Sequence, residues 1–311
     1  MTEEKVVKQQ LHQSHLQVLY RCGEKFRRTI IENEREPATI PLVVGTATHA
    51  TIARNLTNKI KKGTLLTKEA VQDLSRDDFL YGWKNTEIVL NDEEKSQGLS
   101  MTRDHAQDQT IKLVTAHHYE IANLIKPKAV ERKWVLEAKD YDYNLSGMID
   151  VDEGNGIRDT KTKKTNTGQR EVDTSEQYTI YALAKYLIDG RMPDYVIQDN
   201  VLKPTKRRDA YCVSYRSTRT KEDFKVVMRR FDQACRIIKA GIYTPANPFD
   251  WWCSANFCGF AANGTCPYFN SKARKPITNP IISGKEGAKD YVRGKAEGII
   301  STLERTLSSQ K

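Results

Sequence analysis

The chain has 311 residues, 29% charged and 38% hydrophobic, which suits one large or two modest globular domains. A mean hydropathy of −0.65 argues against a membrane protein, and no apolar run approaches the ~20 residues that span a bilayer. A net charge of +10 favours a polyanion such as nucleic acid as partner. The excess is local: Lys161, Lys163, Lys164 and Arg170 form one cluster, and Lys203, Lys206, Arg207 and Arg208 another. The N-terminal MTEEKVVKQQLHQS has no apolar core, so no secretion is expected and the cytoplasm is the expected compartment.

In chain order, residues 4–20 read as a helix ending near Arg21-Cys22-Gly23. Residues 45–60 read as a helix that follows an extended IPLVVG. The stretches 67–92 and 99–125 are long, polar and periodic, as a helical insertion would be. The pattern then changes, and 128–137, 142–152 and 156–162 read as strands. Residues 173–189 return to helix, with Asp173 or Thr174 as N-cap. Two more strands are expected at 194–202 and 209–216, then an amphipathic helix at 219–240. The stretch 244–270 is rich in Pro, Asn, Gly, Trp and Cys and should be irregular. A last helix is expected over 284–307. This order implies a mixed sheet covered by helices.

The most informative stretch is Gly147-Met148-Ile149-Asp150, followed after a short turn by Asp159-Thr160-Lys161. The link between them centres on Gly154-Asn155-Gly156, a hairpin signal. With Gly154-Asn155 as the turn, Asp150 lies opposite Asp159; with Asn155-Gly156, opposite Lys161. Either register puts Asp150, Asp159 and Lys161 on one face. Two close carboxylates repel unless a cation lies between them, and Mg²⁺ or Mn²⁺ binds such oxygens. His49, in Gly45-Thr46-Ala47-Thr48-His49, offers an imidazole ligand. Gln177 and Tyr181 are four apart and share a helix face, where both can donate to a phosphate or a carboxylate. Glu131, on the first predicted strand, is a further acidic candidate. No G-x-x-x-x-G-K-[ST] occurs, so nothing indicates an ATP-driven motor.

G-x-x-x-H, G-x-x-D, D-x-K and Q-x-x-x-Y therefore follow one another in order. In this the chain resembles the PD-(D/E)XK nuclease superfamily, from about residue 20 to about 270. It is most similar to the RecB-like exonuclease branch, such as the AddB nuclease domain and CRISPR-associated RecB-like exonucleases. The resemblance implies a restriction-endonuclease-like α/β core with a mixed central sheet flanked by helices. It implies His49, Asp150, Asp159 and the Thr160 carbonyl as ligands for Mg²⁺ or Mn²⁺. Lys161 would orient or activate the attacking water and offset charge on the phosphate, while Gln177 and Tyr181 steady the site. Many relatives have Glu where this chain has Asp159. Lys163, Lys164, Arg170, Lys206, Arg207 and Arg208 are the expected DNA contacts.

Of six cysteines, Cys253, Cys258 and Cys266 cluster as C-x4-C-x7-C in a segment irregular enough for a thiolate site. In RecB-like nucleases with an iron–sulfur cluster, one Cys precedes the core and three follow it. The resemblance thus implies Cys22, Cys253, Cys258 and Cys266 as ligands of a [4Fe–4S] cluster, with Zn²⁺ the alternative that four thiolates also allow. Such a cluster would tie the N-terminal helix to a segment over two hundred residues away. Cys212 and Cys235 read as small core residues. Trp251, Trp252, Phe257, Phe260 and Tyr268 should pack around the cluster, with stacking on single-stranded bases the alternative.

The expected organisation is one nuclease domain over 1–311. It comprises an N-terminal helix and first Cys (1–44), a helical insertion (61–125) and a catalytic core sheet (126–216). A Cys-rich segment (244–270) and a tail helix (271–311) follow. The expected activity is metal-dependent exonuclease cleavage from DNA ends, single-stranded or duplex, in recombination, repair or phage DNA processing. A separate helicase, annealing protein or single-strand-binding protein would be its partner. A flap endonuclease on the same fold, a DNA-binding scaffold and a zinc-stapled RNA-binding protein are the competing readings.

Overall fold

In a computed structural model, residues 8–269 are described. The chain enters on a short strand, β1 (Gln9–His12), and turns into α1 (Gln13–Arg21). Local spacing predicts helix throughout this stretch, but β1 pairs with a distant strand, and that pairing overrides local preference. A short α2 (Gly23–Phe26) and a π-helical turn (Arg27–Ile31) follow Cys22. α3 (Ile40–Lys62) begins earlier than expected, so IPLVVG is helical and not extended. Pro41 lies in its first turn, where a missing N–H costs nothing. The predicted helical stretch holds α4 (Lys68–Asn85), α5 (Asp92–Gln97) and α6 (Leu99–Glu120).

β2 (Ala129–Leu136), β3 (Tyr143–Asp152) and β4 (Gly156–Lys163) are the three expected strands. The helix expected over 173–189 is divided into α7 (Gln169–Asp173) and α8 (Glu176–Asp189). Its cap is Ser175, whose side chain accepts from Tyr178 N, and not Asp173 or Thr174. β5 (Tyr195–Leu202), β6 (Tyr211–Ser217) and α9 (Lys221–Ala240) lie where expected. The Cys-rich stretch is irregular apart from the short α10 (Gly259–Ala262). The helix expected over 284–307 lies outside the described residues.

The strands form one mixed sheet with helices on both faces, the α/β arrangement the sequence predicts. β3 is antiparallel to β2 and β4 and parallel to β1. β4 and β5 are parallel, joined by a crossover through α7 and α8, and β6 closes antiparallel on β5. On one face α1, α8 and α9 pack against Leu145, Ile149, Ile157 and Val196 in the largest apolar cluster. On the other, α3 contributes Ile52 and Leu56 to a cluster with Val151, and α4 and α6 join α3 in a second cluster with Val201. α9 shows why it docks: Phe224, Val227, Phe231, Ala234 and Ile238 repeat at three and four residues and are buried. Cys235 is buried in the same cluster, and Cys212 packs beside the opposite clusters, as small core residues do.

One edge of β3 is shared by two partners. β2 runs along the other edge, pairing residues from Leu145 to Asp152. On the free edge, β1 pairs Tyr143 to Ser146, while β4 pairs only Val151 and Asp152. Between them Gly147, Met148, Ile149 and Asp150 have no ladder partner on that side. The sheet is open there, and the functional side chains gather around that opening.

Candidate active site

The hairpin between β3 and β4 settles the register. Gly154 has a φ of 85°, which glycine adopts without strain. Val151 stands opposite Arg158 and Asp152 opposite Ile157, so Asp150 comes level with Asp159 and not with Lys161. The backbone ladder ends at that point. The Thr160 N–H donates instead to Asp150 Oδ2, at 3.0 Å, so a side chain takes a bond that regular pairing gives to a carbonyl.

Strand alternation also breaks here. Ile149 packs with α1, α8 and α9, whereas Val151 packs with α3 on the opposite face. Two residues apart on a regular strand share a face. The next residue, Asp152, reaches Lys185 of α8 at 2.8 Å. Across the sheet, Glu131 occupies the position opposite Asp150 and has a φ of 51°. A left-handed non-glycine residue costs about 1–3 kcal/mol and is held only where the surroundings demand it. The kink belongs to the site, and Glu131 lines a small pocket with His49, Asp150 and Thr160.

Asp159 is 1% exposed and is held on three sides. Gln177 Nε2 donates to its Oδ1 at 3.0 Å, Tyr178 OH lies 3.0 Å from its Oδ2, and Lys161 Nζ lies 2.8 Å from the same oxygen. Gln177 also donates to Tyr181 OH at 2.7 Å, as their spacing on one helix face predicts. His49 projects from α3 with Nδ1 at 3.4 Å from Asp150 Oδ2. Gly45, one helical turn before it, sits where an added Cβ would meet Thr162 Oγ1 at 3.3 Å, so α3 lies close over β4.

The environment separates the two carboxyls. Burial pushes Asp159 up, and the neighbouring Asp150 adds to it despite Lys161. Burial also opposes charge on Asp150, but His49, Lys161 and the Thr160 N–H outweigh it and hold this carboxyl below its usual range. Burial works against charge on Lys161 and His49 too; the two aspartates outweigh it and raise both. The site thus holds two opposed pairs, Asp150 with His49 and Asp159 with Lys161.

A cleft leads to this centre. It is lined by Gln10, His12 and Gln13 at the β1–α1 junction, by Trp134 of β2, and by Gly147, Asp150, Lys161, Gln177 and Tyr181. The glycine of the G-x-x-D motif has a direct cause: a Cβ on Gly147 would stand 2.4 Å from Trp134 Cζ2. Among the described residues, Trp134 Nε1 and Gln13 Nε2 are buried without a hydrogen-bond partner.

The donor chemistry fits a hard divalent cation, since two carboxylates and an imidazole suit Mg²⁺ or Mn²⁺. Among the described residues, no three His, Cys, Asp or Glu side chains already stand in a metal-holding arrangement. Lys161 and His49 provide the counter-charge to the aspartates, and binding a cation requires the ligands to draw together.

The expected nucleic-acid contacts divide into two kinds. Lys163 Nζ is engaged by Thr167 Oγ1 and Glu171 Oε1, each at 2.5 Å. Arg208 stacks on Tyr211, 3.3 Å above its ring. Lys164, Arg170, Lys206 and Arg207 are exposed.

Cys22, Cys253, Cys258 and Cys266 line a single cavity with Trp251, Trp252, Phe257 and Phe260. Cys22 caps α2, its Sγ accepting from Lys25 N at 3.4 Å. Burial raises the Cys258 thiol, with Lys25 opposing. Tyr268 is exposed and is not part of this lining.

Sequence reasoning missed Tyr178, Gln198 and Trp134. Tyr178 was masked by the Q-x-x-x-Y motif that brackets it. Gln198, Asp199 and Asn200 carried a readable signal, since three polar residues interrupt an otherwise apolar strand. All three are buried; Asp199 pairs with Arg158 at 2.9 Å.

Comparison with curated proteins finds no match. The solved structure of SSO0001 matches over 75% of this chain and 87% of its own, at 10% identity and a TM-score of 0.32, too slight a likeness to carry an argument. The sequence profile of the PD-(D/E)XK nuclease superfamily matches residues 10–268, from β1 through the cysteine-lined segment. With its strands, hairpin and D-x-K in place within that span, the chain belongs to the PD-(D/E)XK nuclease superfamily.

Proposed function

We propose that this protein is a Mg²⁺- or Mn²⁺-dependent DNA exonuclease of the RecB-like branch, acting at DNA ends in recombination, repair or phage DNA processing. One observation carries the nuclease reading: Asp150 and Asp159 meet at the opening in the β3 edge, each already paired with a basic group. Asp150, Asp159, His49 and the Thr160 carbonyl would hold the cation, which supplies Lewis-acid charge and a more acidic water when bound.

The chain's own groups do the rest. Lys161 stays protonated at neutral pH, because its two aspartates outweigh burial. It therefore works as a fixed positive charge on a water or a phosphate oxygen, and not as the base. Gln177 and Tyr178 hold the Asp159 carboxylate in one orientation, and Tyr181 braces Gln177. The strand enters the cleft between the α1 N-terminus and Trp134, and exposed Lys164, Arg170, Lys206 and Arg207 hold its backbone electrostatically.

Cys22, Cys253, Cys258 and Cys266 are the ligands of a structural [4Fe–4S] cluster in this reading. Support comes from the convergence of all four on one cavity from segments over two hundred residues apart in sequence. The domain is a single nuclease unit with residues 61–125 inserted before the core sheet.

The test is cleavage of linear DNA labelled at the 5′ or 3′ end, with Mg²⁺ or Mn²⁺, comparing wild type with Lys161→Ala. Losing a charge of this kind should slow cleavage by about 10²–10³-fold. Wild type that shortens ends, while Lys161→Ala does not, supports the reading, and the label gives polarity. Cleavage of covalently closed circles would replace exonuclease with endonuclease. Binding without cutting would make the protein a scaffold.

A further inference from the structure

A line of polar side chains runs away from the candidate metal site along β5, buried from Tyr178 through Asn200 and reaching the surface at Asn166. Tyr178 OH lies 3.0 Å from Asp159 Oδ2 and 2.6 Å from Gln198 Oε1. Gln198 Nε2 is 2.7 Å from Asn200 Oδ1. Asn200 Nδ2 is 3.1 Å from Asn166 Oδ1, and Asn166 Nδ2 is 2.7 Å from Tyr215 OH. Gln198 is 2% and Asn200 0% exposed, deep in a strand whose flanks are apolar. A buried amide without partners would cost roughly 1–3 kcal/mol, so such a line persists only where each member satisfies the next. Asn166 belongs to the 164–168 loop, next to exposed Lys164.

The donor inventory gives the line a direction. A tyrosine hydroxyl has one proton, and here two acceptors stand within reach of it. Asp159, as an ionised carboxylate, is the stronger. An amide offers its acceptor at one end and its donors at the other, so Gln198 can stand in the same space with its NH₂ toward Tyr178. The Tyr178 oxygen then accepts from Gln198 while its proton goes to Asp159. Asn200 and Asn166 can turn in the same sense, giving up only the long 3.5 Å contact from Asn200 Nδ2 to the Thr167 carbonyl, with Tyr215 donating at the far end.

Resting on the nuclease reading above, we infer that Tyr178 and Gln198 are positioning residues, which hold the Asp159 carboxylate in a metal-ready orientation through an amide relay anchored at the 164–168 loop. Neither touches the reacting atoms. Their effect belongs on cation affinity, and removing such outer partners weakens metal binding by about 10–100-fold.

The test is calorimetric titration of Mn²⁺ into the full-length protein without DNA. Asp159→Asn identifies the signal that belongs to this site. Tyr178→Phe keeps the ring packed and removes only the hydroxyl; it should weaken Mn²⁺ binding at least tenfold while the protein stays folded and melts only a few degrees lower. Gln198→Met keeps the volume and should weaken it severalfold. Because Gln198 acts through Tyr178, the double variant should lose no more than Tyr178→Phe alone. Wild-type Mn²⁺ affinity in Tyr178→Phe overturns the relay, and so do losses that simply add in the double variant. If Gln198→Met does not fold, Tyr178→Phe still decides. Wild type that binds Mn²⁺ and cuts DNA while Tyr178→Phe matches it overturns the relay alone. Wild type that neither binds Mn²⁺ nor cuts DNA overturns the nuclease reading and the relay together.

Discussion

The aspartate site and the cysteine-lined cavity are built in opposite ways. Asp150, Asp159 and Lys161 sit on two adjacent strands, and Gln177, Tyr178 and Tyr181 on one helix turn facing them. Every charged group there already has a protein partner. The cysteines come from the end of α1 and from irregular chain more than two hundred residues later, and aromatic rings fill much of their cavity wall. The first site's side chains are held by hydrogen-bonded elements, which a cation would only have to draw together. The second has few such elements, so a bound group would have to supply the order. Loss of a ligand should therefore unfold the second region and only silence the first.

The largest expected effect tests that contrast. On the proposed cluster, Cys258→Ala should lose visible absorbance near 400 nm and most soluble yield, because binding of such a cluster would contribute free energy comparable with a domain's whole stability of ~5–15 kcal/mol. Cys235→Ala, a change in the core, should keep both. A soluble, metal-free and fully active Cys258→Ala protein would remove the structural role from the cavity.

The next effect lies behind the aspartate site. Arg158 is bidentate to Asp199 at 2.9 and 3.2 Å, with both side chains buried. Arg158→Met strands a buried carboxylate and should cost about 3–5 kcal/mol in urea unfolding. Pairing it with Asp199→Leu should restore most of that loss. If the single variant is neutral, the preorganisation ascribed to this strand is wrong.

A smaller effect depends on pH. Burial, with Arg158 nearby, pushes the His117 imidazole down to about 3. It is neutral in the fold, but takes a proton near pH 6.5 once unfolded. Between those values the unfolded chain binds more protons, so stability is full above pH 6.5 and falls as pH drops toward 3. About 2 kcal/mol should vanish between pH 6.5 and 5. The stability–pH curve of His117→Leu should be flatter by that amount; an unchanged slope would show that His117 is solvated.

The mildest test is Gly147→Ala, whose methyl would collide with Trp134. Moving the indole should cost about 1–3 kcal/mol by thermal melting. Trp134→Phe in the same chain should relieve part of it.

Most of the elements were legible because period and turn chemistry are local. The β3–β4 hairpin, α9 and the helical stretch before the sheet follow directly from spacing and glycine placement. The misses share a cause. β1 looks helical by spacing, IPLVVG was read as extended when Pro41 opens α3, and Ser175 caps α8 only because α7 stops short of it. Each depends on a partner distant in sequence or on where a neighbouring element ends.

For the site, residue type and order alone predicted that Asp150, Asp159 and Lys161 come together, from a hairpin turn and a two-residue period, and they do so across the break in alternation at Ile149–Val151. The spacing of Gln177 and Tyr181 likewise made them neighbours. Only the tertiary structure decided which of two registers holds, how β1 and β4 divide one edge of β3, and that the gap between them is the cleft. It alone showed Trp134 over Gly147 and the line from Asp159 through Tyr178 and Gln198 to Asn166. Those contacts join segments far apart in sequence, and their geometry is fixed by packing across the sheet, on which local propensity has no purchase.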